Sequence, residues 1–231
     1  MATMRGRGRA VGFLLLLQMA AGLILPFVLI LPINVGSPDY LSAAANADGR
    51  VRASVLVAFI GAVLCIAIAS VAFPVFRRYS ESLAVAFLAA CTASAALDAV
   101  HNSSVMAMLA MAKHATELPA GDTAHLSAAA AVYSARIAAH YTQLAGFAAW
   151  LLVFYTVMLR SRLIPLPLAT LGLIAVSLQF TGVTLFYYLG YPIEGRLAMP
   201  LAPVHAATAI WLMVRGFPER GPEPNRDEVL S

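Results

Sequence analysis

The sequence predicts an all-α fold: an integral membrane bundle of six transmembrane helices with both termini cytoplasmic. Three observations carry that reading. Hydrophobic residues make up 61% of the 231 positions and charged residues 11%, against about 25% charged in ordinary soluble domains. Six apolar runs, near residues 10–33, 53–76, 82–112, 138–159, 164–190 and 198–216, are long enough to cross a hydrocarbon core of about 30 Å, which takes roughly 20 helical residues. None shows the alternation of a barrel strand, and a helix satisfies its own backbone groups in lipid.

Each element follows in order. Residues 1–9 form a basic cytoplasmic N-terminus, with Arg5, Arg7 and Arg9 ahead of the apolar run 11–31. The arrangement resembles a secretory signal, whose apolar region spans about 7 to 15 residues. The longer run here predicts a retained first helix, despite Ala45-Asn46-Ala47 downstream. Pro26 and Pro32 lie inside or at the end of that helix, where a kink is tolerated if neighbours satisfy the freed carbonyls. The breaks carry turn chemistry at Gly36-Ser37-Pro38-Asp39, Arg77-Arg78, Pro119-Ala120-Gly121-Asp122, Ile164-Pro165 with Pro167, and Gly190-Tyr191-Pro192.

Residues 123–139 are Ala-rich and less apolar than the spans. Either Asp122 or Thr123 caps a helix running unbroken into the fourth span, or the segment lies on the membrane surface as an amphipathic helix; the sequence leaves both open. Residues 217–231, with Pro218, Pro222 and Pro224 among charged residues, cannot bury a core and predict a disordered cytoplasmic tail.

With the N-terminus inside, the cytoplasmic positive charges are Arg5, Arg7, Arg9, Arg77, Arg78, Arg160, Arg162, Arg215, Arg220 and Arg226, ten in all. Arg50, Arg52, Lys113, Arg136 and Arg196, five in all, then lie outside. That bias places both ends in the cytoplasm, and the excess of Arg over Lys and the abundance of Ala point to a bacterial inner membrane. The net charge of +4 comes from arginines flanking apolar segments, not from a basic stripe with interleaved aromatics, which argues against nucleic acid. The bilayer is the expected partner, and a homo-oligomer is left open.

Asp98, His101 and Asn102 stand at helical spacing inside the apolar run 83–111. An Asp at the centre of a membrane helix costs about 2.5 to 3.5 kcal/mol on insertion scales, so such residues normally face a protein interior or a water-filled cavity. At a rise of 1.5 Å per residue, Asp98 stands about 24 Å from the cytoplasmic start of its span and Gln179 about 22 Å up the fifth, while His205 lies about 10 Å below the outer start of the sixth. His140 and Gln143 begin the fourth span. If the third to sixth spans pack together, Asp98, His101, Asn102, His140, Gln143, Gln179 and His205 would line one polar site in the outer half of the bilayer.

The competing reading is helix-packing glue, with Asp98 bonded to His101 one turn along and Asn102 to a neighbouring helix. No cofactor is expected. The alternative is a metallo- or haem protein using His101, His140 and His205, since imidazole suits Zn, Cu, Fe and Ni, with Asp98 orienting one ring. No His-Glu-x-x-His or Glu-x-x-His motif supports it.

Other signals read as structural. Ala86, Ala90 and Ser94 continue the line of Asp98 and Asn102 in small-xxx-small spacing, which lets helices approach closely. Ser177, Thr181, Thr184 and Tyr188 make a polar line on the fifth span, either local hydroxyl bonding or a pathway lining. Tyr187, Tyr188 and Tyr191 fall where an interfacial belt is expected. His114 and His125 flank the outer loop and read as solvated. Cys65 and Cys91 read as small buried core residues, and Asn102-Ser103-Ser104 is a glycosylation sequon placed inside a span.

Arg9-Ala10-Val11-Gly12, Leu144-Ala145-Gly146-Phe147, Leu159-Arg160-Ser161-Arg162-Leu163-Ile164-Pro165 and Ile210-Trp211-Leu212-Met213-Val214-Arg215-Gly216 resemble motifs of the domain of unknown function 4386 family of multi-pass bacterial membrane proteins. The resemblance covers most of residues 9 to 216. It implies a compact helical membrane bundle and brings no catalytic residues with it. The expectation is a binding, transport-like or interaction protein sooner than an enzyme.

Overall fold

In the computed structural model, residues 3–30, 40–115, 123–193 and 196–219 are described. Six helices among them are long and apolar enough to cross a membrane. The elements are α1 (Met4–Ile24), continued by a π-helical turn at Leu25–Ile30; a short α2 (Tyr40–Asn46); α3 (Asp48–Phe76); α4 (Glu81–Ala115); α5 (Thr123–Arg160); α6 (Leu166–Val183), continued by a π-helical turn at Thr184–Tyr188; a 3₁₀ turn at Arg196–Ala198; and α7 (Leu201–Arg215). There is no strand among the described residues.

Residues 123–139 belong to one continuous α5, which resolves the alternative the sequence left open. Compared with the apolar runs, α1, α3, α4 and α5 start earlier and α6 and α7 later. The sequence reading also missed α2. The turns at 36–39 and 119–122, Pro32, and residues 220–231 lie outside the described residues. Phe217 is packed in the core at 1% exposure, so the bundle reaches past the expected end at 216.

Local chemistry explains several boundaries. Thr3 caps α1, its Oγ1 accepting from the Gly6 amide at 3.1 Å. Pro26, which has no N–H to offer, lies in the π turn that ends the first span. Gly190, at φ +74°, takes the left-handed conformation that turns the chain out of the fifth long helix.

Each span packs against its neighbour in sequence, and α7 closes on α1, so the six form a ring in the order α1, α3, α4, α5, α6, α7. Gly8 and Gly12 make the closure possible. A Cβ on Gly8 would sit 2.0 Å from the Phe217 amide nitrogen, and one on Gly12 would sit 2.3 Å from that of Met213. Backbones touch there, as in the small-residue seams of membrane helices. At one end of the ring Arg7 donates to the Val71 carbonyl at 3.4 Å and Arg9 to that of Val214 at 3.3 Å. The helix directions put Arg77, Arg78, Arg160 and Arg215 at the same end.

The main core is aromatic and lies toward that arginine-rich end. Phe76, Phe87, Phe154, Trp150 and Phe217 are fully buried, with Phe76 and Phe87 at 5.1 Å and Phe87 and Phe154 at 5.9 Å between ring centroids, tilted as aromatic quadrupoles prefer. Cys65 and Cys91 are buried, the Cys65 thiol 3.9 Å from the Cys91 carbonyl. A second, smaller core at the opposite end joins α2 to the ends of α3 and α4 through Ala44, Val51, Val55, Val105, Met108, Leu109 and Ala112. Above it Asp48 accepts from Arg52 and from Lys113, each at 2.8 Å. The face of α3 carrying Leu56, Ile60 and Val63 is exposed, as a lipid-facing surface would be.

Candidate functional site

The ring order decides which polar residues meet. α4 packs on α3 and α5, away from α6 and α7, so the seven sequence-predicted residues divide into two groups.

The first lies between α4 and α5. Asp98 accepts a hydrogen bond from Gln143 Nε2. His101 and His140 face one another with ring centroids 5.2 Å apart. Asn102 is buried at 2% exposure and His101 at 8%. Two expected contacts are corrected: Asp98 bonds across to α5 and not to His101, and among the described residues the Asn102 side-chain amide nitrogen has no hydrogen-bond partner, nor does either ring nitrogen of His101. The reason is geometric, since the α4 face carrying these residues looks at α5, whose nearest polar group of matching height is Gln143. Farther down the same face Ser94 of the small-residue stripe stands opposite Gly146, where a Cβ would lie in ordinary contact with the Ser94 Cα at 3.5 Å and would press on Leu97 Cδ1 at 2.6 Å.

The second group centres on α7. His205 is buried at 5% exposure, and its Nδ1 lies 3.0 Å from the Tyr155 hydroxyl of α5. Tyr155 in turn donates to Thr208 Oγ1 at 3.3 Å, and Thr208 donates to the Val204 carbonyl at 2.9 Å. The Tyr155 ring fits because position 172 is glycine, where a Cβ would fall 2.0 Å from the ring carbon Cε1. The Trp150 ring stands edge-on to His205 with centroids 6.3 Å apart.

Two cavities lie beside these groups. One, of about 210 Å³, is lined by Gln18, Met19, Phe147, Gln179, Leu201 and His205, with Leu23 at its mouth. The other, of about 230 Å³, is lined by His140, Tyr141, Leu144, Gln179, Val183 and Phe186. Gln179 and Ala198 border both. Gln179 is 5% exposed and its Oε1 has no hydrogen-bond partner among the described residues. A buried amide oxygen without a partner is costly, at about 1 to 3 kcal/mol, and here it sits at the wall between two spaces.

The polar line on α6 does not border these spaces: Ser177 and Thr181 are exposed, and Thr184 bonds back to the Phe180 carbonyl at 2.9 Å. Of the tyrosines, Tyr187 stacks on Tyr141 at 4.5 Å, while Tyr188 and Tyr191 are more than half exposed. Among the described residues no three His, Cys, Asp or Glu side chains gather closely enough to hold a metal ion; His205 stands with Tyr155, apart from the His101 and His140 pair. Sequence reasoning passed over Gln18, Tyr155 and Thr208. Gln18 had a legible signal, a lone amide in an otherwise apolar span. Tyr155 and Thr208 had none, because single hydroxyls recur throughout apolar helices.

A family model described as Domain of unknown function (DUF4386) matches residues 10–216. No curated protein and no solved structure matches the chain.

Proposed function

The chain belongs to the DUF4386 family, whose match over residues 10–216 reaches all six long helices, and from that premise we propose a binding function: the ring takes up a small, largely apolar molecule into the paired cavities that meet at Gln179. One observation carries the reading. Gln179 is a buried polar side chain that borders both cavities with its amide oxygen unpartnered, and apolar pockets with a few convergent polar groups are where membrane and soluble proteins alike hold small ligands. A transport-like role follows if one ligand visits both cavities in turn. The positive-inside rule favours a cytoplasmic arginine-rich end, with the cavities from mid-depth outward, and we take the membrane to be a bacterial inner membrane.

The test is native mass spectrometry of the purified protein released from detergent, looking for co-purifying apolar molecules. Wild type is expected to carry adducts of reproducible mass and Gln179→Leu to lose most of them; adduct-free wild type, or identical adducts on the variant, would sink the proposal. The metallo- or haem alternative rests on the paired rings of His101 and His140, and stoichiometric metal or a Soret band in the same sample would favour it.

A further inference from the structure

We infer that the cavity beside α7 selects a hydrogen-bond donor, the hydroxyl of an apolar alcohol or phenol; this rests on the binding function proposed above and names its ligand class. The inference comes from counting hydrogens. Thr208 has one hydroxyl hydrogen, directed to the Val204 carbonyl at 2.9 Å. Its oxygen can therefore only accept from Tyr155, 3.3 Å away. Tyr155 also has one hydroxyl hydrogen, which that contact uses. The remaining contact, between Tyr155 Oη and His205 Nδ1 at 3.0 Å, then needs its hydrogen on Nδ1. A neutral imidazole carries one N–H, so Nε2 is left as a bare lone pair. Among the described residues no anion lines the space beside the ring, and burial among apolar walls favours its neutral form.

The two glutamines of the cavity do not choose a sign, since each side-chain amide carries both an acceptor oxygen and an NH₂ donor. Gln179 Oε1 and Gln18 Oε1 are both buried without a partner, and both residues line the same space as His205. Among the described residues His205 is thus the side chain lining that space that can only accept there. A carboxylate, ketone or ether would bring only lone pairs to the bare Nε2 of His205, whereas a hydroxyl supplies it with a hydrogen. Size narrows the ligand further. A volume of about 210 Å³ is roughly seven times the share of one liquid water, enough for an aryl alcohol or the end of a chain and too little for a whole phospholipid. Leu23, 44% exposed at the mouth, leaves the remainder of such a molecule in the bilayer. Tyr155 and Thr208 are positioning residues, fixing which nitrogen of His205 carries the hydrogen.

The experiment uses the full chain with Trp211→Phe, which leaves Trp150, beside His205, as the single indole. Two probes differing in one hydrogen are compared as fluorescence quenchers: para-bromophenol and its methyl ether, para-bromoanisole. The phenol is expected to quench saturably at a concentration about tenfold lower than the ether, the ratio that one added hydrogen bond to a buried acceptor supplies. His205→Phe should abolish that preference while both probes still quench, and Tyr155→Phe should shrink it. Equal potency of the two probes on wild type would overturn the donor assignment and leave the cavity as a binding site. Absence of saturable quenching by either would overturn both. Nitrogen-15 NMR of histidine-labelled protein gives a reading independent of any ligand: the resonance pair lost in His205→Gln should show a protonated Nδ1 and an unprotonated Nε2, and the reverse pattern would refute the inference.

Discussion

At the scale of single residues, the side chain that organises the α7 site is Tyr155, and what holds Tyr155 in place is an absence of atoms at position 172. Gly172→Ala would bring a methyl against a ring fixed on its other side by His205 and Thr208. Overpacking of this kind costs about 1 to 3 kcal/mol. The expected outcome is a fall in thermal midpoint together with loss of the phenol preference, and a variant keeping both would show that the ring relaxes freely. Residue identity alone could not have revealed this arrangement. His205 was legible as an intramembrane polar group, yet its partner is a tyrosine fifty positions back, itself seated against a glycine on a third helix, and a polar residue's height along its own span says nothing about which spans face it. The same limit explains why seven residues expected at one level divide into two groups once the ring order is known.

At the scale of helices, two joints can be compared. The α4 to α5 joint contains the hydrogen bond between Asp98 and Gln143, and interhelical polar contacts in membranes average about 0.6 kcal/mol with a maximum near 1.7. A double-mutant cycle with Asp98→Ala and Gln143→Ala, read by steric trapping or thermal unfolding, should give a coupling energy inside that range; a value near zero would remove the bond from the joint. The α1 to α7 seam depends instead on contact between backbones, so Gly12→Val cannot be absorbed by a rotamer change. It should cost at least about 3 kcal/mol, measured as loss of monodisperse protein or a large drop in thermal midpoint, and wild-type behaviour of the variant would show that the seam is dispensable. The existence of all six long helices was legible because hydrocarbon demands unbroken apolar runs. Their ends were less so. α3 begins at Asp48 because Arg52 and Lys113 bind that carboxylate, and charged turns held this way leave no trace in hydropathy. The seam itself was written in the sequence as Gly8-x-x-x-Gly12, a spacing that could have been read.

At the scale of the whole molecule, the proposed orientation has a direct test. Cys65 and Cys91 are buried at 1% and 0% exposure and should be silent toward a membrane-impermeant maleimide. With that background, Arg196→Cys should label from outside intact cells and Arg78→Cys only after lysis; the opposite pattern would invert the topology and move the cavities to the cytoplasmic half. The ring closure has a different consequence, in time and not in space. α1 is made first and α7 last, yet each is the other's wall. At roughly 5 to 20 residues per second of synthesis, the glycines of α1 wait some tens of seconds, bare toward lipid, for the helix that covers them. By the end of that interval the nascent chain is an open arc of five long helices, with Gln18 exposed on its unfinished edge. The cavity beside α7 is therefore the last part of the protein to exist, and any factor that guards the protein during insertion would find its work at that edge.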